Sequence, residues 1–361
     1  MVDFELIAKG NLFPPKNGSA NIEVIVLKNN YFQLFQLRVC CSVKTTGNLS
    51  AAMEFGKTTN LDAINPVLPP GPAFNARIWT AVERTSHPEI FIGGPVWANK
   101  QYVGKIYPST AKEKDFLHHY VQQFNTIELN LTHYQIPTES MIDKWKTEAR
   151  TSPFRSGFTF CPKFPQTISH ERMLLATEFI TEEFVSAILS LEEFLGMSFL
   201  QLPPTFSPDK WPVLESYLKS LPDELNVAVE FRHPDWFKRS EVWQHTLEKL
   251  HGLHRHVVIT DVAGRRDVLH MGLSSPVLTL RFIANEGHES DYTRTDAWIQ
   301  RLKTWLDKGL QTAYIFVHGG GDNNDTAPEL IRYWIRELNK HCGLTLKEPT
   351  LQPQVIQGNL F

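Results

Sequence analysis

Several short apolar runs end in a polar or charged residue. A buried strand would normally carry only aliphatic or aromatic side chains. Eight such runs lie between Phe91 and His318, and they end at Trp97, Glu128 with Asn130, Lys163, Gln201, Glu230 with Arg232, Asp261, Arg281 and His318. A charge in such a position is costly unless it is paired or faces a cavity. Eight polar ends on one rim therefore predict a ligand site.

Glu230 and Arg232 form the first candidate pair, because residues two apart on a strand point to the same side. Glu230 is either a general base or metal ligand held by its arginine, or half of a buried ion pair that organises the site. His233 comes directly after Arg232 and before Pro234. Both catalysis and a capping or packing role are open for it.

Lys163 and His170 are candidates for nucleophilic and proton-transfer chemistry. A lysine whose pKa is lowered by burial or by neighbouring arginines can form a Schiff base. For Lys163 we favour the alternative, a salt bridge to Glu128 or Glu230. His170, in the sequence TISH, is a candidate acid or base, with helix capping as the other interpretation.

Carboxylates and imidazoles around the rim are also potential ligands for a hard divalent metal. This set would consist of Glu128, Glu230, Asp261 and His318. No H-x-H or H-E-x-x-H spacing supports it, and Lys163 and Arg281 would compete for the same carboxylates. No cofactor is therefore favoured, and a divalent metal is left as a possibility.

The sequence HGGGDNN at 318–324 suggests phosphate binding, because glycine amides can approach an anion closely. Arg265 and Arg266, after strand six, add positive charge on the same rim. The residues assigned to this anion site are Arg265, Arg281, Gly319, Gly320 and Asn323. A merely flexible connection is the alternative reading of the glycines.

Aromatic and amide side chains at the rim would stack on a sugar or base and hydrogen-bond to it. These are Trp97, Tyr134, Gln201 and Trp236. Ordinary packing is the alternative for the tryptophans.

The apolar runs alternate with segments of helical periodicity at 111–124, 139–150, 181–195, 208–220, 241–251, 293–307 and 328–340, while the sixth connection holds only a turn or so of helix. Eight strand–helix repeats predict an α/β fold, a (β/α)8 TIM-type barrel. An open doubly wound sheet is disfavoured because no G-x-G-x-x-G turn occurs.

The predicted domains are an irregular N-terminal extension at 1–52, a lead-in linker at 53–88, the barrel at 89–343 and a C-terminal tail at 344–361. Two strands are expected at 22–27 and 31–39, and 65–74 reads as a structureless linker. Met53 is a plausible start of translation, so residues 1–52 are either native or an upstream read-through.

The composition narrows the class of protein. The 361 residues are 42% hydrophobic and 11% aromatic, which is enough for a large core. A formal net charge of −3 gives no global attraction to nucleic acid or an anionic membrane. Four cysteines without metal spacing, together with the lack of a basic leader or a long apolar run, predict a soluble cytoplasmic protein with no membrane partner.

Several long motifs occur in an order typical of one family. They include VGKIYP at 103–108, QFNTIELNLTHYQIP at 123–137, FCPKFPQTISH at 160–170, VAVEFRHPDWF at 227–237 and ITDVAGRRDVLHM at 259–271. Here the chain resembles the YecE-like family, the domain of unknown function numbered seventy-two. The resemblance implies a TIM-type barrel and a site at its mouth, but no established reaction. Pro95 and Val96 before Trp97, and the inserted Gly319–Gly321, depart from the family pattern.

The sequence leaves three functions open and favours the first, an enzyme that hydrolyses or isomerises a small phosphorylated or nucleotide-like ligand. In it, Glu230 is the base, Lys163, Arg232 and Arg281 bind the anion, and His170 or His318 donates the proton. Asp261 is a further catalytic candidate.

The second function is a non-catalytic, nucleic-acid-associated module. Its basis is the final QGNLF, which resembles the peptide that docks on the bacterial sliding clamp through Gln357, Leu360 and Phe361. The third is a metal-dependent sugar isomerase or endonuclease-like enzyme.

Overall fold

The computed structural model describes Gly56, Thr58, Thr85 and residues 60–82, 87–321 and 324–352. The chain divides into two compact units, Met1–Glu54 and Phe55–Phe361, and every described residue belongs to the second. The predicted extension at 1–52 and its two strands lie outside the described residues. In the described part of the chain, no helix is long and apolar enough to cross a membrane.

Eight parallel strands form the inner layer, and the second to the fifth along the chain are buried over their whole length, as strands covered on both faces are. They are β1 (Glu89–Gly93), β2 (Thr126–Leu129), β3 (Thr159–Pro162), β4 (Ser198–Gln201), β5 (Val227–Glu230), β6 (His256–Val262), β7 (Val277–Ile283) and β8 (Thr312–His318).

Helices form the outer layer: α1 (Asn75–Ala81), α2 (Phe116–Gln123), α3 (Glu139–Ala149), α4 (Glu178–Leu189), α5 (Trp211–Ser220), α6 (Ser240–Gly252), α7 (Glu289–Lys308) and α8 (Ala327–Cys342). The connection from β6 to β7 contains one short 3-10 helix, Arg266–Val268. This confirms the prediction that the sixth connection holds only a turn or so of helix. The helix predicted at 181–195 begins earlier, at Glu178, and ends at Leu189.

Two sheets join to close the barrel. One has the order β1-β8-β7-β6-β5-β4 and the other is β2-β3. Backbone hydrogen bonds connect them at both seams, from Glu128 N to Gly94 O (3.1 Å) and from Gly196 N to Phe160 O (2.8 Å). Each strand thus has a neighbour on either side, and the predicted TIM-type barrel is confirmed.

An apolar layer fills the barrel interior, formed by Cys161, Phe199, Ala228, Val258 and Phe316. Side chains two residues further along each strand share this inward direction and lie at the carboxyl-terminal end. We call this polar layer the barrel mouth; it consists of Glu128, Lys163, Gln201, Glu230, Thr260, Arg281 and His318.

The segments that precede and follow the barrel in the chain pack against it. Leu68 and Phe74 of the predicted linker are buried, and the Asn75 side chain donates to Met271 O and accepts from Leu273 N. The segment lacks regular structure up to α1, but it is a packed part of the same unit. The tail also packs as far as Leu351, while Gln357, Leu360 and Phe361 lie outside the described residues.

Candidate functional site

Arg281 is the central side chain of the barrel mouth. Its Nε and Nη2 donate to the two carboxylate oxygens of Glu128 at 2.8 and 2.9 Å, and its Nη1 donates to Glu230 Oε2 at 3.0 Å. Both carboxylates are almost fully buried. One guanidinium therefore joins β2 and β5 across the mouth, in the paired geometry that buried charges require.

The remaining oxygen positions of both glutamates are also occupied. Glu128 accepts from Asn130 Nδ2 (2.8 Å) and lies 3.0 Å from His318 Nε2. Glu230 accepts from Arg232 Nε (2.7 Å) and Gln201 Nε2 (2.9 Å). The predicted pairing of Glu230 with Arg232 is thus present.

These contacts determine the ionisation of the two glutamates. Burial works to raise the pKa of Glu128, but Arg281 and His318 hold it well below the usual range. Burial likewise opposes ionisation of Glu230, and the charges of Arg232 and Arg281 hold the pKa of Glu230 far below its usual value. Both groups are carboxylates at neutral pH, and neither is poised to accept a proton.

Lys163 carries a buried charge that these carboxylates leave uncompensated. Its side chain is 8% exposed, and Nζ lies 6.0 Å from the centre of the Phe199 ring. Among the described residues, no carboxylate oxygen lies within 4 Å of Nζ. The favoured salt bridge to Glu128 or Glu230 is therefore wrong, because the arginines occupy both groups.

Burial, followed by the positive charges of Arg281 and Arg232, lowers the pKa of Lys163 to about 7. A large fraction of this amine is therefore uncharged near neutral pH. An unpaired lysine of this kind is the group that binds an incoming anion or attacks an electrophile.

Thr132 fixes the backbone that carries Lys163. Its Oγ accepts from Lys163 N at 3.0 Å and lies 2.8 Å from the carbonyl oxygens of Leu129 and Lys163, to one of which it donates. Thr132 was not predicted from the sequence, because a threonine after a strand has no distinctive pattern.

Two imidazoles lie beside Lys163. His133 and His170 meet edge to face, with ring centres 5.1 Å apart. Burial and the charge of Lys163 lower the pKa of His133 to about 3 and that of His170 to about 4. Both rings are therefore neutral at pH 7, which suits His170 as a base rather than as an imidazolium donor.

Hydrogen bonds orient both rings. His133 Nδ1 donates to the Phe164 carbonyl at 2.7 Å, which fixes its tautomer, and His170 Nδ1 lies 2.8 Å from Ser169 Oγ. His133 was not predicted as a site residue, although it stands within the family motif at 123–137. Its one available signal was its position directly after β2.

Asp261 does not face the barrel mouth, and the prediction that it does is wrong. Its carboxylate accepts from Trp298 Nε1 (2.7 Å), Arg294 Nη1 (2.9 Å) and Arg266 Nη1 (2.6 Å). Trp298 and Arg294 belong to α7, on the outside of the barrel. Register explains the error, because Thr260 pairs with the inward Arg281 and Asp261 therefore points outward.

The two tryptophans predicted at the rim pack against helices instead. Trp97 lies four residues beyond the end of β1 and meets Trp145 and Phe160 edge-on. Trp236 is buried and donates from Nε1 to Phe206 O at 2.8 Å. Both residues thus have the packing contacts that were the alternative, Trp97 with α3 and β3 and Trp236 beside Phe206.

Other rim residues have defined roles or positions. Tyr134 follows β2 with 71% of its surface exposed, so it is accessible to a ligand. His233 Nδ1 accepts from Asp235 N at 3.1 Å and caps a short 3-10 helix, which is the capping alternative. Arg265 pairs through two nitrogens with Asp267.

The glycine loop after β8 is held by the chain around it. Gly319 N donates to Asn324 Oδ1 at 3.1 Å, so this amide is already used. Gly320 has a φ of +78°, and a Cβ there would lie 2.6 Å from Ala284 O. A close approach to the β7–α7 connection thus requires glycine at 320. Asn323 lies outside the described residues.

The predicted metal set is not brought together. Glu128 and Glu230 are bound by Arg281, while Asp261 faces α7. In the ranges that the structure describes, no group of three or more His, Cys, Asp or Glu side chains is arranged to hold a metal ion.

Comparisons with known proteins agree with this architecture. The family model described as "Protein of unknown function DUF72" matches residues 91–354. The UPF0759 protein YecE of Escherichia coli K12 is 31% identical over 294 residues, which cover 75% of this chain and 100% of YecE. The YecE protein of strain O157:H7 matches equally well.

Two crystal structures of DUF72 family proteins share the fold. The protein from Enterococcus faecalis has a TM-score of 0.55 at 17% identity and covers 72% of this chain and 100% of its own. The protein from Thermotoga maritima has a TM-score of 0.51 at 20% identity, with 70% and 99% covered. The barrel, the motif order and these matches together show that the chain belongs to the DUF72 family.

Proposed function

We propose that the barrel mouth binds a small anionic ligand, with phosphate-bearing compounds as the preferred class, and that the protein acts on this ligand by acid–base chemistry. The observation that carries the proposal is the buried Lys163 amine, whose protonated form has no carboxylate within 4 Å among the described residues. Three cations, Lys163, Arg232 and Arg281, stand against two carboxylates. An anionic ligand would supply the missing negative charge.

A second polar group supports a ligand at this position. The Thr260 side chain belongs to the mouth layer and is 6% exposed, and its hydroxyl has no hydrogen-bond partner among the described residues. A buried hydroxyl without a partner is unfavourable. Thr260 therefore offers a hydrogen bond to an uncharged part of the ligand.

The proposed roles follow from the contacts of each group. Lys163 and Arg232 bind the anion, and Arg281 holds the two glutamates in place. Glu230 positions the arginines rather than acting as the base, because its oxygens are already hydrogen-bonded. His170, which is neutral at pH 7, is the candidate base, and Tyr134 provides an exposed aromatic surface at the rim.

Thermal unfolding in the presence of inorganic phosphate and a panel of phosphorylated metabolites tests this function. A ligand at 100 times its Kd should stabilise the wild-type protein by about 2.7 kcal/mol. Relative to its own unliganded midpoint, the Lys163→Met variant should show little or no shift. The matched control is Lys238→Met, which removes an exposed lysine on another loop.

Equal ligand-induced shifts in all three proteins would show that the anion binds elsewhere. No shift in the wild-type protein with any compound would also count against anion binding at the mouth.

A further inference from the structure

The ε-amino group of Lys163 lies in a buried position that neither a salt bridge nor a structural hydrogen bond explains among the described residues. We propose that Lys163 is a nucleophile that forms an imine with an aldehyde or ketone group of the mouth ligand. The inference rests on the proposed anion binding and adds a carbonyl as a second feature of that ligand; once Lys163 has reacted with the carbonyl, the anionic group is held by Arg232.

The position of the amine is fixed by rigid parts of the barrel. Lys163 follows β3 directly, and its backbone forms a bridge to Phe199 of β4. Thr132 accepts a hydrogen bond from the Lys163 N–H, and the centre of the Phe199 ring lies 6.0 Å from Nζ. A nucleophile attached to such elements keeps its orientation without help from the ligand.

The charged and titratable groups around Lys163 favour the neutral amine. Arg281 and Arg232 repel a positive charge there, and Glu230 and Glu128 attract it only partly because both already bind arginine. His133 and His170, which lie close enough for the charge of Lys163 to lower their pKa values, remain neutral. The resulting pKa of about 7 leaves a free lone pair on Nζ at neutral pH.

The reaction balances without a further reagent. The Nζ lone pair attacks the carbonyl carbon, the C=O π electrons move to oxygen, and this oxygen gains a proton as nitrogen loses one. The carbinolamine then expels its hydroxyl group, which leaves as water after taking up a proton, and a C=N bond forms. His170 is the neutral imidazole that accepts the proton from nitrogen and returns it to the departing oxygen.

Reductive trapping tests the proposal on the full-length protein. Glyceraldehyde 3-phosphate and sodium borohydride convert an imine into a stable secondary amine, which peptide mass mapping locates. At equal probe concentration, labelling of Lys163 should exceed that of the exposed Lys238 by at least about tenfold, because its amine is largely neutral. The Lys163→Arg variant keeps the charge and should lose this adduct, whereas Lys238→Arg should not.

Glycerol 3-phosphate, which lacks the carbonyl, separates the two proposals. Protection of Lys163 by glycerol 3-phosphate, together with its selective labelling, supports both. A thermal shift with glycerol 3-phosphate but no enrichment at Lys163 overturns the imine and leaves anion binding standing.

Enrichment that unphosphorylated glyceraldehyde reproduces equally overturns anion binding and leaves the imine. Peptide mass mapping of the wild-type protein distinguishes these outcomes even if the Lys163→Arg variant fails to fold.

Discussion

At the scale of single residues, Lys163 determines the charge of the barrel mouth, because burial and two arginines oppose protonation of its amine. Its pKa is about 7 in the folded protein, against about 10.4 in an unfolded chain. Between these values the unfolded chain binds the extra proton, so the lysine costs stability below pH 10 and costs most below pH 7. A protein keeps such a residue for function rather than for folding.

Replacing Lys163 by methionine should therefore stabilise the protein. We expect a gain of about 3 kcal/mol at pH 6 that shrinks steadily between pH 7 and pH 10. Urea unfolding at several pH values measures it, with Lys238→Met as the control that should change little. A loss of stability at pH 6, or a gain independent of pH, would show that Lys163 is paired in the folded protein.

Glu128 should behave in the opposite way. The Glu128→Gln substitution leaves Arg281 with one carboxylate instead of two and should lower the free energy of unfolding by about 2–4 kcal/mol at pH 7. The exposed Glu193→Gln change is the control, and urea midpoints compare them. A loss no larger than that of the control would mean that the bidentate pair with Arg281 contributes nothing to stability.

Sequence could predict which residues meet at the mouth wherever strand register was certain. Glu128 and Glu230 stand at the ends of short apolar runs, and their inward direction followed from the two-residue period they share with Asn130 and Arg232. The prediction that Asp261 faces the mouth was wrong because β6 continues to Val262 and the inward residue is Thr260, one position earlier. The state of Lys163 was also unpredictable, since it depends on which side chains Arg281 and Arg232 bind.

Contacts between elements explain why Asp261 is charged even though it faces away from the mouth. It connects β6 to α7 through Arg294 and Trp298, and Arg294 also pairs with Asp291. This network attaches the longest described helix to the barrel.

The Asp261→Asn substitution should destabilise the protein by about 3 kcal/mol, because it leaves the fully buried Arg294 short of negative charge. Ligand-induced thermal shifts should remain as in the wild type. The exposed Asp267→Asn change, next to Arg265, is a matched control for stability. Loss of ligand binding in folded Asp261→Asn protein would show that Asp261 is part of the ligand site after all.

The helices around the strands were largely predictable, since their apolar periodicity is long and continuous. The short helix α1 was not predicted, because the prolines before it indicate a linker. Its place depends on tertiary contacts, such as those of Asn75 with Met271 and Leu273, which local sequence does not reveal.

At the scale of the whole molecule, several buried or half-buried histidines make the fold sensitive to acid. Burial, with neighbouring positive charges at some sites, lowers the pKa of His133 and His270 to about 3 and that of His170 and His256 to about 4. The unfolded chain protonates them near pH 6.5 while the folded protein does not. Each therefore has no ionisation cost above pH 6.5 and costs increasing stability as the pH falls from 6.5 towards its folded pKa.

We expect the free energy of unfolding to drop by on the order of 1–2 kcal/mol for each of these residues between pH 6.5 and pH 4. Urea titrations across this range measure the total. The His256→Gln variant should show a shallower pH dependence, whereas replacing the exposed His245 should not. A flat profile over this range would mean that these imidazoles are accessible to protons in the folded protein.

The barrel itself was predictable because eight apolar strands alternating with helices admit few other closed arrangements. The chemistry of its mouth depends on long-range contacts between strands, and one measurement tests it most directly. In a crystal structure grown or soaked with phosphate, we predict anion density within hydrogen-bond distance of Lys163 Nζ and near Arg232. A Lys163 side chain paired with Glu128 or Glu230, with no anion at the mouth in saturating phosphate, would contradict the account.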